Sequence, residues 1–112
     1  MADTIFSKII DKKVPAKIAY EDGKFIAIHD INPQAPVHLL IIPRRPIATL
    51  NDLQDADAEL VGGLFLVARK LMKEMGYSDY RTVINCGPAA GQSVFHIHLH
   101  VLAGRPMTWP PG

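Results

Sequence analysis

Cysteine is almost absent from this 112-residue chain: Cys86 stands alone, so no intramolecular disulfide can form and a zinc-thiolate cluster lacks ligands. A small filler at a strand end is the expected role for Cys86, and a reducing compartment fits. Long apolar runs are missing too, the longest, Leu60 to Ala68, being under half of a membrane span. Met1 to Thr4 shows no basic stretch followed by an apolar run, so a cytoplasmic location without membrane attachment is expected. Excess charge is also lacking. With a formal net charge of +1 and Lys and Arg interspersed among Asp and Glu, no basic face for long nucleic acid is expected. Neither repeats nor a low-complexity linker divide the chain, which implies one domain over 1–112, with 107–112 a Pro-rich tail. Finally, no Asp or Glu follows Asp79.

That acid-free stretch holds three of the five histidines. Val94 to Leu102 alternates strictly, which predicts a half-buried strand with His96, His98 and His100 on one face and Phe95, Ile97, Leu99 and Val101 on the other. Residues two apart in a strand lie about 6.6 Å apart, so neighbouring rings can converge on one small anion or one metal ion. Two chemistries fit: a three-histidine metal centre, or a metal-free anion site with a histidine as nucleophile or base. No local carboxylate is available to orient metal-bound imidazoles, while Arg81 and Arg105 lie in the same stretch, which favours an anionic substrate and no metal or other cofactor. Gly87 to Ser93, upstream, could bring backbone N–H groups and a hydroxyl to a phosphate, although a plain turn explains the same glycines.

Periodicity predicts an α+β order. Thr4 can cap a short helix from Ile5 to Asp11 with Phe6, Ile9 and Ile10 buried. Lys17 to Glu21 and Lys24 to His29 flank Asp22-Gly23 as a hairpin, and Val37 to Ile42 is a third strand between prolines. A long helix is expected from Gln54 to Met75, with Leu60, Leu64, Val67, Leu71 and Met75 at helical spacing and Gly76 as its C-cap. Gly62 and Gly63 inside it cost roughly 1 kcal/mol each against alanine, implying close packing either at a dimer interface or against the sheet. Tyr80 to Asn85 and Val94 to Leu102 complete a five-stranded antiparallel sheet with one long and one short helix.

His96-Ile97-His98-Leu99-His100-Val101-Leu102 resembles the His-φ-His-φ-His-φ-φ signature (φ apolar) of the histidine triad (HIT) superfamily. The likeness extends over Thr4 to Ile10, His29 to Pro36, His38 to Pro43, Gly91-Gln92-Ser93 and the closing Trp109-Pro110-Pro111-Gly112, which together are similar to the Hint branch. That branch consists of homodimeric purine nucleoside phosphoramidases, which hydrolyse the P–N bond between adenosine or guanosine monophosphate and an amine. The sheet would then continue across the homodimer.

The resemblance implies roles by position. His98 is the nucleophile; His96 and His100, with backbone N–H groups near Gln92 and Ser93, bind the non-bridging phosphate oxygens; Ser93 assists the leaving amine; and His38 shapes the phosphate site. Asp30 takes the ribose hydroxyls, and Ile5, Phe6, Ile9, Ile28 and Ile31 surround the purine. His29, Asn85, Gly91, Gln92 and Val94 line the nucleotide site, and Trp109 reaches the partner subunit's site. Ordinary roles compete at several of these: an Asx turn at Asp30, core packing for the isoleucines, strand-end capping at Asn85, an exposed aromatic tail at Trp109. A neutral nucleophile with the usual imidazole pKa would make kcat/KM fall below roughly pH 6 to 6.5. A dinucleoside polyphosphate hydrolase, or a nucleotide-binding scaffold dimer with incidental turnover, would need nearly the same residues.

Overall fold

The computed structural model describes residues 3–112; Met1 and Ala2, which open the segment read above for a leader, lie outside the described residues. Thr4 begins α1 (Ile5–Ile10) with a reciprocal cap, its hydroxyl accepting the Ser7 N–H at 3.1 Å while the Ser7 hydroxyl accepts the Thr4 N–H at 2.9 Å. Serine thus does what glutamate usually does in a capping box. Phe6 and Ile9 are buried, Ile10 only partly, because the helix is one turn and a half long and turns Ile10 toward its rim. The hairpin follows as β1 (Ile18–Glu21) and β2 (Phe25–His29), where Asp22 Oδ1 accepts the N–H groups of Lys24 and Phe25 at 2.7 and 2.8 Å.

With β3 (Val37–Pro43), α2 (Ala58–Met75), β4 (Arg81–Val83) and β5 (Leu99–Ala103), the chain forms one antiparallel five-stranded sheet in the order β1-β2-β3-β5-β4. This is the expected α+β architecture. The pleat sorts the side chains. Leu39, Ile41, Leu99, Val101 and Ala103 pack beneath Leu64, Val67, Ala68, Leu71 and Met72 of α2, whereas Leu40, Ile42, Ile26 and Ile28 meet Phe6 and Ile9 of α1 on the opposite face. His38 and His100 lie on this second face by strand parity.

Two expected elements differ. The long helix starts at Ala58 rather than Gln54, because Asp57 bonds back to Gln54 (its N–H to the Gln54 carbonyl, its Oδ2 to the Gln54 N–H) and makes a separate 3-10 turn over Asp55–Asp57. Met75, at the far end, is exposed rather than buried. Gly76 closes the helix in the left-handed region at φ 87°. Of the two helix glycines, Gly63 faces the sheet: a Cβ there would sit 2.5 Å from Phe25 Cζ, while one at Gly62 would meet nothing within 4 Å.

The second difference concerns the histidine run. β5 begins only at Leu99, and residues 94–98 are irregular. Extending the ladder from Ile41 opposite Leu99 would set Ile97 against Pro43, which has no N–H to contribute, and the Ile97 N–H instead donates to the Ile47 carbonyl at 2.7 Å. Alternation therefore fails where the sequence shows it most clearly: Phe95, expected in the core, is 42% exposed, and His96, Ile97, His98 and Leu99 are all buried. No helix among the described residues is long and apolar enough to cross a membrane.

Candidate active site

A cavity of about 460 Å³ opens on the α1 face of the sheet, within the size range of small-molecule sites. Phe6, Ile9 and Ile28 form its buried apolar wall, with Ile5 and the fully exposed Ile31 at its lip. His29 and Asp30, at the end of β2, line one side, and Asn85, Gly91, Ser93 and Val94 line another. His98 and His100 supply the reactive wall. Val14, Pro15, Ala16, Lys17 and Leu40 also line it. These were missed, although the apolar Val14-Pro15-Ala16, which follows α1 after the charged Asp11-Lys12-Lys13, is a signal that could have flagged the first of them. A larger, more open cleft of about 740 Å³ between residues 76–81 and 104–107 contains no histidine.

Four candidates stand outside the cavity. His96 is 1% exposed and its Nε2–H donates to the Pro43 carbonyl at 2.7 Å, so its ring is turned away from the phosphate position assigned to it above; the break in the strand before Leu99 rotates it there. Its contribution is its own carbonyl, discussed below. Gln92 spends its amide as a brace, Oε1 accepting the Gly87 N–H at 2.8 Å and Nε2 donating to the carbonyls of Ala48 and Val94 at 2.7 and 3.1 Å. His38 lies behind His100 rather than on the cavity wall. Trp109, 82% exposed, does not line the cavity of its own chain.

Backbone partners fix which nitrogen of each ring carries hydrogen. The His96 carbonyl lies 2.8 Å from His98 Nδ1 and can only accept, so Nδ1 donates and Nε2 presents a lone pair. Phe6 meets the His98 ring edge-on at 4.8 Å between centroids, limiting its rotation. The Gln34 N–H donates to His38 Nδ1 at 3.0 Å, leaving hydrogen on His38 Nε2. That Nε2–H points at His100 Nδ1, 2.9 Å away, so His100 in turn carries its hydrogen on Nε2. The site thus combines a lone pair on His98 with a neutral N–H donor on His100, ring centroids 5.0 Å apart.

Burial keeps these rings uncharged. It lowers the pKa of His98, with the neighbouring His96 adding to the effect and the His96 carbonyl opposing it. His100 is pushed down to about 4, by burial first and then by His98 and His38. His38 and His96 are lowered by the same cause, against the opposing pull of Asp30 on one and of the Pro43 carbonyl on the other. His29 is lowered by burial and by Lys17.

One atom each of Asp30, His38 and His100 falls within 4.8 Å of the others, close enough for a shared cation. Hydrogen placement opposes that use: to ligate through Nε2, His38 would have to move its hydrogen to Nδ1, against the Gln34 N–H. Asp30 is itself half committed, Oδ1 accepting the Asn32 N–H at 2.8 Å as an Asx turn, with Oδ2 3.4 Å from His38 Nε2.

Fold and cavity define a small α+β domain that carries a histidine-walled site on the sheet face opposite its long helix. Residues 3–109 match the family described as scavenger mRNA decapping enzyme C-term binding. The chain is 51% identical over 111 residues to an uncharacterised HIT-like protein of Synechocystis, covering 98% of this chain and 97% of that one. Among solved structures, a HIT family hydrolase of Legionella pneumophila superposes with a TM-score of 0.96 at 49% identity, covering 98% of this chain and all of the other. A histidine triad protein of Clostridium difficile gives 0.92 at 36% identity, covering 96% of each. The chain belongs to the histidine triad superfamily.

Proposed function

We propose that this protein is a hydrolase of purine nucleoside phosphoramidates, cleaving the P–N bond of adenosine or guanosine monophosphate linked to an amine. The observation that carries the reading is the opposed protonation of two adjacent rings: His98 turns a lone pair, and His100 an N–H, toward one cavity. In the first step His98 Nε2 attacks the α-phosphorus in line, a P–N bond to the imidazole forms, the bond to the amine breaks, and the amine leaves with a proton from the Ser93 hydroxyl, which the attacking water of the second step restores. Water then attacks the same phosphorus, returning the lone pair to His98 and releasing the nucleoside monophosphate. The His100 Nε2–H stabilises the oxygens, the Gln92 N–H being spent on the Gly87 carbonyl, and Ser93, on the cavity wall, is the hydroxyl available to the leaving amine. Apolar Phe6, Ile9 and Ile28 suit the purine, and Asp30 Oδ2, outside its Asx turn, suits the ribose hydroxyls. The test is turnover of a fluorogenic adenosine phosphoramidate in strong chelator, with mass spectrometry of the protein during turnover. Undiminished release and a nucleotidyl adduct on the His96–His100 peptide support the reading; loss of activity in chelator overturns it.

Asp30→Ala is expected to raise KM for ribonucleotides several-fold, about what one charged hydrogen bond is worth, and to change KM less for 2′-deoxy analogues. Equal losses on both would remove Asp30 from the ribose. The lowered pKa of His98 also moves the acid limb expected above. A proton on Nε2 blocks attack, so kcat/KM should hold through pH 6.5 and fall only at lower pH. A fall centred on the ordinary imidazole value would place His98 in a wetter setting than its burial allows.

We further propose that the active form is a homodimer and that the protein acts in the cytoplasm. Supporting the dimer are Phe65 and Leu66, 43% and 54% exposed beside the open Gly62 on the outer side of α2, and the free Trp109 tail. Such a tail could close a second copy's site.

A further inference from the structure

The two polar backbone atoms of Gln34 point in opposite functional directions. Its N–H enters the histidine relay at His38 Nδ1, whereas its carbonyl accepts the Arg105 Nε–H at 2.9 Å. Arg105 follows the end of β5 and is folded back by a second bond, from Nη1 to the Pro106 carbonyl at 3.0 Å. Beside it Gly104, at φ +98°, lies so close to the Ile31–Pro36 connection that a Cβ would stand 2.9 Å from Pro36 Cβ. Ile31, Asn32, Pro33 and Gln34 of this connection are all exposed; buried Ala35, the Asn32 N–H bond to Asp30 and the bond from Gln34 Nε2 to the Asn32 carbonyl also hold it, but it is Arg105 that bonds the Gln34 carbonyl.

We infer that Arg105 is a positioning residue for the histidine site: by holding the Gln34 carbonyl it keeps the Gln34 N–H on His38 Nδ1, and through His38 it commits His100 to donate into the cavity. The two tautomers of an imidazole differ little in free energy until a neighbour chooses between them. Freed from Gln34, His38 could carry its hydrogen on Nδ1. Its Nε2 lone pair would then face the lone pair of His100 Nδ1, so His100 would take its hydrogen at Nδ1 and offer a lone pair where a donor is needed. The Asp30 carboxylate, 3.4 Å from His38 Nε2, favours the native arrangement independently, so loss of Arg105 shifts this balance without inverting it.

The inference concerns the site whose activity is proposed above, but its primary test needs no substrate. Long-range ¹⁵N–¹H correlation spectra of the full ¹⁵N-labelled chain, free of ligand near pH 7.5, separate protonated from unprotonated ring nitrogens. In the native chain His38 should show an unprotonated Nδ1 and a protonated Nε2. Arg105→Ala should draw the two shifts toward each other for His38 and His100 while leaving His98 unchanged. Arg105→Gln should keep the native pattern, because its amide nitrogen is as many bonds from Cα as arginine Nε. Arg105→Met, which retains the stem without a donor, serves as a second donor-free variant should the alanine chain fold poorly. Native shifts in the donor-free variants, or equal shifts in alanine and glutamine, would overturn the inference, the latter by assigning the effect to charge. On a phosphoramidate, Arg105→Ala should lower kcat by up to about tenfold, the worth of one hydrogen bond, at nearly constant KM, with glutamine restoring it. Shifted tautomers without phosphoramidate turnover in any variant would uphold the positioning role and overturn the substrate reading instead.

Discussion

Replacing His98 with alanine is expected to reduce turnover of an adenosine phosphoramidate by roughly a thousandfold or more, the scale of losing a covalent nucleophile. The expectation rests on His98 being the cavity-lining ring whose Nε2 is free of hydrogen, its Nδ1 being tied to the His96 carbonyl. The ring contributes little else to the fold that its neighbours cannot cover: Phe6 remains anchored beside Ile26, Ile28 and Leu40 in the second core. A parallel His96→Ala chain makes the result diagnostic. It keeps the carbonyl that orients His98 and loses the bond to Pro43 together with the packing of a buried ring edge-on to Phe6, so its rate should fall about tenfold at most, with the larger cost in stability. Comparable losses in both chains would mean that His96 touches the reacting phosphate after all, and a His98→Ala chain with near-native turnover would remove the covalent mechanism.

The largest expected effect on stability is at Gly63. A Cβ at that position lies 2.5 and 2.9 Å from ring atoms of Phe25, itself 6% exposed between α2 and the sheet, so a branched side chain must push the helix off β2. Gly63→Val is expected to cost about 2 to 3 kcal/mol, lowering the melting temperature by roughly 10 °C or more in a domain of this size. Gly62→Ala is its natural partner in a calorimetric comparison. Open space surrounds that position, and helix propensity alone would stabilise the alanine chain by up to about 1 kcal/mol. If a second copy packs against this turn, the substitution instead weakens association, which sedimentation at several concentrations would reveal. Unchanged stability of Gly63→Val would show that Phe25 has room the packing denies it.

Most of the framework is legible in the sequence. Thr4, Asp22-Gly23 and Gly76 each carry a local mechanism, a cap, a turn and a left-handed stop, and each acts where it was expected. The residues around the cavity were readable chiefly through the family resemblance, since Asp30, Asn85 and Ser93 each have an ordinary local role. What misled was the cleanest pattern in the chain. Alternation at 94–98 reports side-chain parity only while a strand stays paired, and the hydrogen bonds there depend on Pro43 and Ile47, some fifty residues away. The decisive partners of the imidazoles were equally hidden, because Gln34 and His96 act through backbone atoms that every residue possesses.

The pleat of β3 and β5 has a further consequence for how this chain tolerates change. Leu39, Ile41, Leu99, Val101 and Ala103 face only the packing beneath α2, whereas His38 and His100 alternate with them and face the chemistry. Reaction rate is therefore wired to one parity of these two strands, whereas stability draws on both, since Leu40 and Ile42 share the histidine face with the second core. A lineage can repack one side, through compensating substitutions in α2, without revisiting the geometry of the other.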